Sequence, residues 1–211
     1  GEDDEGPASP CPEEVDLGPY ALAPGSADFI PYAPLAGSVV FTDTLGMEYV
    51  FRIDERDAGT VFGGAITRPC PEDSVFQVRY TWQNEFRYLS MVSDSLCFGF
   101  DLLVNIGLDL ADPAAERVSD FLAIRVTGPE APPEEPLVLS VLVDPRNNPD
   151  IAQPATLEAS LTVAGKTFQE VYRNETLATT TGFEVFYTEA EGLVGIRRAV
   201  DSLWVGLERV E

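Results

Sequence analysis

Apolar and polar side chains alternate in twos along most of this chain, the period of a half-buried strand. The clearest stretch is near the C-terminus, where Leu157, Ala159, Leu161 and Val163 alternate with Glu158, Ser160 and Thr162. Ala164-Gly165-Lys166 then turns the chain and residues 167–173 (TFQEVYR) return. Runs at 183–188, 193–197 and 203–207 continue the same meander, joined by short polar turns. In the N-terminal half, 37–41 (GSVVF) and 48–53 (EYVFRI) flank the turn residues Asp43-Thr44-Leu45-Gly46 and predict a hairpin. Three strands follow at 75–82, 86–92 and 96–106, dense in aromatic and β-branched side chains, with breaks at Gln83-Asn84-Glu85 and Ser93-Asp94-Ser95. Further strands are predicted at 124–126 and 137–143.

Between these runs the pattern lapses. Residues 54–74 hold Gly59, Gly63, Gly64, Pro69 and Pro71 and predict a long loop, with a short edge strand over 61–67. Residues 20–32, rich in Pro and Ala, predict an extended coil lying across the surface. Residues 110–122 are the one predicted helix, with Asp112 as its cap and Pro113 in the first turn. The acidic, Pro- and Gly-rich residues 1–16 predict a disordered leader, and 128–136 (GPEAPPEEP) a surface loop. Together these elements predict an all-β fold, an antiparallel β-sandwich or open barrel built from hairpins and meanders with at most one short helix. The reading places one β-rich domain over 17–211, with 128–136 as the alternative point of subdivision.

Charge changes the picture of what such a fold would do. Thirty-six acids face thirteen bases, a net charge of −23, and Lys166 is the only lysine. Nucleic acid and anionic membrane are excluded as partners, because both require clustered Lys and Arg. The acidity reads as an ordinary solvated surface or as adaptation to a saline habitat, in which screening makes self-repulsion tolerable. No run of about 18 apolar residues occurs, so no transmembrane segment is predicted.

Chemistry is narrowed further by what is missing. Without histidine there is no Ser-His-Asp or Cys-His nucleophile and no His-ligated metal, and Lys166 sits at an apparent hairpin tip. Gly63-Gly64 stands alone and no phosphate-cradling loop occurs. A carboxylate pair of the glycosidase kind remains, with Asp54, Glu55, Asp57, Glu72 and Asp73 as candidates against the expectation of solvated loop charge. The loop 144–150 offers hard oxygens for calcium from Asp144, Asn147, Asn148 and Asp150, although the same residues are ordinary turn formers. Tyr80, Trp82 and Tyr88, with Phe86, would line a sugar- or peptide-binding face, against the competing expectation of cross-strand packing. Asn174-Glu175-Thr176 matches the glycosylation acceptor pattern. Of Cys11, Cys70 and Cys97, one disulfide and one odd thiol are expected in an oxidising compartment. Cys97 falls on the face opposite Leu96, Phe98, Phe100 and Leu102, which favours the pair Cys70–Cys97, with Cys11–Cys70 as the alternative.

Two stretches carry a resemblance. Phe29-Ile30-Pro31-Tyr32, Val39-Val40-Phe41, Gly46 and Glu48-Tyr49-Val50-Phe51 form the first. Gly165-Lys166-Thr167-Phe168, Val171-Tyr172, Phe186-Tyr187, Gly192-Leu193-Val194-Gly195 and Trp204 form the second. Both are similar to small β-rich lipoproteins of Gram-negative bacteria, over roughly a third of the chain. The resemblance implies export to the periplasm, outer membrane or cell surface, and membrane contact only through an N-terminal lipid anchor. Cys11 is flanked by prolines and not by small lipobox residues, so the resemblance places the lipid-bearing cysteine ahead of Gly1. It carries over no catalytic residue. The resulting expectation is a non-enzymatic envelope or surface domain with a binding or structural role and a protein or glycan partner. The rival expectation is a carboxylate-dependent polysaccharide hydrolase or a calcium-dependent carbohydrate-binding module.

Overall fold

A computed structural model describes residues 9–129, 134 and 136–211. Its strands are β1 (Glu14–Tyr20), β2 (Ser38–Asp43), β3 (Glu48–Pro69), β4 (Gln77–Ser93), β5 (Phe98–Leu108), β6 (Val118–Thr127), β7 (Leu137–Asp144), β8 (Thr156–Val163), β9 (Lys166–Arg173), β10 (Phe183–Thr188), β11 (Gly192–Arg198) and β12 (Leu203–Val210). One helix, α1 (Glu175–Thr181), and two short 3₁₀ turns complete the described elements. The strands form one curled antiparallel sheet, a half-barrel, in the order β7-β6-β5-β4-β3-β2-β12-β11-β10-β9-β8. The chain is therefore all-β with one short helix, as the alternation predicts.

The core explains the curl. Phe41, Phe51, Phe98, Phe100 and Phe183 meet inside the sheet, with ring centroids 5.2–5.8 Å apart. They come from four strands, β2, β3, β5 and β10, so burying them bends the sheet around them. The segment 20–32 does not simply lie across the surface as predicted, since Ser26, Phe29 and Tyr32 are buried. Phe29 and Tyr32 belong to the same core as the phenylalanines. Tyr187 donates its hydroxyl hydrogen to the Phe29 carbonyl, and the Leu193 amide donates to the Tyr32 hydroxyl at 2.8 Å. Asp120, wholly buried on β6, accepts from the Ala23 amide and the Ser26 hydroxyl, both at 2.7 Å, and meets Arg146 Nη1 at 3.4 Å. An unpaired buried carboxylate would be costly, and these three donors satisfy it.

The predicted loop at 54–74 is the largest departure. Residues 48–69 are a single 22-residue strand that pairs with β4 to its end. Beyond Ala58, opposite Arg87 where the β5 ladder ends, the hairpin continues as an arm. Beside the arm β1 runs parallel to β4, from Glu14↔Arg79 to Tyr20↔Asn84. The predicted leader is thus ordered in part: residues 14–16 belong to β1, whereas residues 1–8 lie outside the described residues. The break at 83–85 is no turn either. Val78, Tyr80, Trp82 and Asn84 are buried, then Leu89, Met91 and Ser93, so β4 switches its buried face while remaining extended. The switch falls where β4 exchanges β1 for β5, whose ladder with it ends at Arg87↔Val104.

The predicted helix at 110–122 is absent. Only Pro113–Ala115 turn, Asp112 makes no side-chain cap, Glu116 lies at φ 49°, and Val118 already begins β6. Val118, Leu122, Ile124 and Val126 are buried in the ladder with β5, which the helical spacing of Val118, Phe121 and Leu122 concealed. The helix that does form begins at Asn174. Its Oδ1 accepts from the Leu177 amide at 3.0 Å, so the glycosylation-like triplet is an N-cap. The strands on either side of 128–136 pair directly as β6 and β7; residues 130–133 and 135 of that loop lie outside the described residues.

Candidate functional site

Most of the residues singled out in the sequence are spent on structure. Tyr80 and Trp82 are buried in the arm. Tyr80 joins Val78 and Cys70 in a small second core with Val15, Leu17 and Ile66. Trp82 lies over Gly63 and Gly64 of β3, where a Cβ on Gly64 would stand 2.7 Å from its Cζ2 and one on Gly63 would strike Cδ1. The glycine pair is the bed of an indole ring. Tyr88 is half-buried farther along β4, with its hydroxyl pushed up to about 12 by burial. These three do not form one open face.

The expected Cys70–Cys97 disulfide is corrected. Cys11 bonds Cys70, with Cα atoms 6.0 Å apart, and Cys97 is free and exposed. Cys70 ends the arm, where β1 brings Cys11 alongside, whereas Cys97 sits at φ 55° in the turn before β5.

The oxygens proposed for calcium are partly engaged. Asp144 Oδ1 accepts from the Arg146 amide at 2.8 Å. Asn147 Oδ1 accepts from the Val118 amide at 2.8 Å and its Nδ2 donates to the Glu116 carbonyl at 3.0 Å. Asn148 is buried and Asp150 exposed. Among the described residues no group of three or more acids or cysteines could hold a metal ion. The carboxylates named for hydrolysis are dispersed and exposed. Asp54, Glu55 and Asp57 lie on β3, and Glu72 and Asp73 in the arm's tip. Lys166 is no free hairpin tip: its Nζ donates to the Leu207 carbonyl at 2.8 Å and pairs with Glu208. This clamps the β8–β9 hairpin over the sheet, where Gly195 and Gly206 leave room for Val163.

The site that sequence reading missed lies at one end of β10, β11 and β12. There Glu184 pairs with Arg197 across β10–β11, and Arg197 with Trp204 across β11–β12. A carboxylate, a guanidinium and an indole therefore stand in one row across three strands, since directly opposed residues share a face. Arg173 at the end of β9 and residues of α1 wall the row into an open groove of about 760 Å³. Arg173 holds the acids in place. It reaches Glu175 at 2.6 Å, Glu158 at 3.1 Å and Glu184 at 3.5 Å. Arg197 differs: its side chain is 66% exposed, and its one ion pair among the described residues is a 3.6 Å contact with Glu184. Most of its five N–H donors thus remain directed at solvent. Trp204 is half-buried and braced edge-on by Phe186, with centroids 5.2 Å apart.

The floor of the groove is rigid. Arg198 lies over the Phe98 ring at 4.7 Å and bonds Asp201 through Nε at 3.0 Å and Nη2 at 2.5 Å. That bond holds the Asp201 carboxyl below the usual carboxylate range. Thr179 and Ser202 add hydroxyl-bearing side chains to the lining. The groove thus offers donors, acceptors and an aromatic surface in balanced charge. No family model, curated protein or solved structure matches the chain. No helix among the described residues is long and apolar enough to cross a membrane.

Proposed function

We propose that this chain is a non-enzymatic, exported domain of the bacterial envelope whose groove binds a neutral segment of glycan. The observation that carries the reading is the cross-strand row Glu184–Arg197–Trp204, open along one groove. A sugar presents an apolar ring face and a rim of hydroxyls. The indole meets the first, and the arginine–carboxylate pair gives donors and acceptors to the second. Neutral ligands are favoured over acidic ones because the groove's arginines are matched by Glu158, Glu175, Glu184 and Asp201. The chain's net charge of −23 would further repel a polyanion.

Binding without turnover is supported by how the groove's acids are held. Glu175 and Glu184 share Arg173, and Glu184 also faces Arg197, so neither stands as a free proton donor opposite a second free carboxylate. Export is supported by the Cys11–Cys70 disulfide, a bond that persists in oxidising compartments, and by the lipoprotein resemblance. The test is a panel of immobilised neutral and acidic oligosaccharides probed with wild type and Trp204→Ala. Retention on one neutral class that the variant loses supports the reading. Equal retention of both proteins, or none on any sugar, sinks it.

A further inference from the structure

A second cavity, sharing no residue with the groove, opens where the end of β5 and the start of β6 meet the loop after β7. Its volume is about 480 Å³, within the range of small-ligand pockets. Gly107 carries no side chain, so the Phe121 ring lies close against β5; a Cβ there would stand 3.0 Å from its Cε2. Leu108, Leu110 and Ile151 extend this apolar lining. The loop is fixed by its own backbone and by β6. The Asn148 amide donates to the Pro145 carbonyl at 2.8 Å and the Ile151 amide to the Asn148 carbonyl at 3.3 Å. The Ser119 hydroxyl donates to the same Pro145 carbonyl at 3.3 Å. Asn148 is thereby held inward, 8% exposed, yet its carboxamide has no hydrogen-bond partner among the described residues. An unpartnered buried amide is costly. Among the described residues the one unpartnered side-chain polar atom closed off from solvent is Asn84 Oδ1, so the Asn148 carboxamide opens into the cavity that it lines.

Three charged side chains share that lining: Asp109 just after β5, Arg117 just before β6, and Asp150 in the loop. Asp109 Oδ1 accepts from the Ala111 amide at 2.9 Å, which leaves Oδ2 for another donor. Arg117 forms an ion pair with neither acid, and its guanidinium has no partner among the described residues. In a chain of 36 acids and 13 bases, a guanidinium that shares a cavity with two carboxylates and pairs with neither marks opposite charges held apart. We infer that this cavity binds a small zwitterion with an apolar body, of the class of an α-amino acid with an aliphatic or aromatic side chain. The Arg117 fork receives the carboxylate, and Asp109 and Asp150 receive the ammonium. The Asn148 carboxamide, with two donors and an acceptor, completes the polar contacts, and Phe121 and Ile151 cover the side chain. The charges select the occupant. A plain anion meets two carboxylates and the field of a chain at −23, and a plain cation meets Arg117. A zwitterion carries no net charge and matches both.

Titration calorimetry with free leucine, methionine and phenylalanine, each beside its amide and its N-acetyl form, tests this. The expected result is saturable binding of at least one free amino acid. Its amide, which lacks the carboxylate, and its N-acetyl form, which lacks the ammonium, bind about tenfold more weakly or not at all. Arg117→Gln and Asp150→Asn each weaken binding about tenfold with unchanged melting curves, because both side chains are exposed. Asn148→Ala weakens it as well, and Trp204→Ala leaves it intact, which separates this cavity from the groove. No binding of any of the three free amino acids overturns the inference. So does an amide or N-acetyl form that binds as well as its parent, a titration indifferent to Arg117→Gln, or binding that disappears in Trp204→Ala.

Discussion

Asn147 shows how a residue's chemistry is committed by its neighbours. Its amide joins the Val118 N–H to the Glu116 carbonyl and so fixes the entry into β6, a role that needs no ion. Asn147→Ala is therefore expected to cost about 2 kcal/mol through two lost partners at a partly buried junction. The loss should be the same with and without calcium in thermal melts; a calcium-dependent difference would return the loop to the metal reading. The tyrosines make a second residue-scale prediction. Burial raises Tyr20 and Tyr88 to about 12, and drives Tyr32 and Tyr187 upward as well. A group whose folded pKa is raised contributes stability below its unfolded value, and that contribution disappears as pH rises through the folded value. Denaturant stability should hold up to pH 10 and fall steadily from pH 10 toward 12, with the phenolate absorbance of these four tyrosines appearing late and together with unfolding. Phenolate absorbance of all seven tyrosines rising near pH 10 in the folded state would contradict the burial of these four hydroxyls.

At the scale of elements, the arm is a separate cooperative unit. Its small core around Cys70, Val78 and Tyr80 is distinct from the main core inside the half-barrel. Cys11→Ser frees β1 and reopens a loop of 59 residues, which by chain entropy is worth up to about 4 kcal/mol. Hydrogen exchange should show faster exchange in β1 and the distal halves of β3 and β4, while β5, β6, β10 and β11 keep their protection. Uniform loss across the sheet would join the two units into one. The arm also shows where sequence reading stops. β5 was legible because burial on one face imprints the period of two on its side chains, and β2 and β10–β12, buried on both faces over much of their length, because they are short apolar runs bounded by turn residues. From Asp54 to Gly63 nearly every residue of β3 is exposed on both faces, so no alternation is written there. Backbone hydrogen bonds to β4 make that strand, and they select no side-chain type. α1 was signalled by Asn174 before it and Gly182 after it, but seven residues with four threonines lack a helical stripe. The groove was hidden for another reason. Its strands were legible, yet the alignment of Glu184, Arg197 and Trp204 depends on register across two turns, which periodicity along one strand does not report.

For the whole molecule, charge and shape act together. A surface of −23 keeps copies and polyanions apart, and two regions escape it: the cavity that sets Arg117 against two carboxylates and the charge-matched groove. The account depends most on the groove, and its two tryptophans make it accessible to one experiment. Trp82 is buried within the arm, so a ligand in the groove reaches only Trp204. Tryptophan emission titrated with a neutral oligosaccharide that the panel selects is expected to shift saturably in wild type. The shift should vanish in Trp204→Ala, persist in Trp82→Phe, and need about tenfold more sugar in Arg197→Gln, the equivalent of about 1.4 kcal/mol. A flat titration in wild type, or a shift that survives Trp204→Ala, would contradict it.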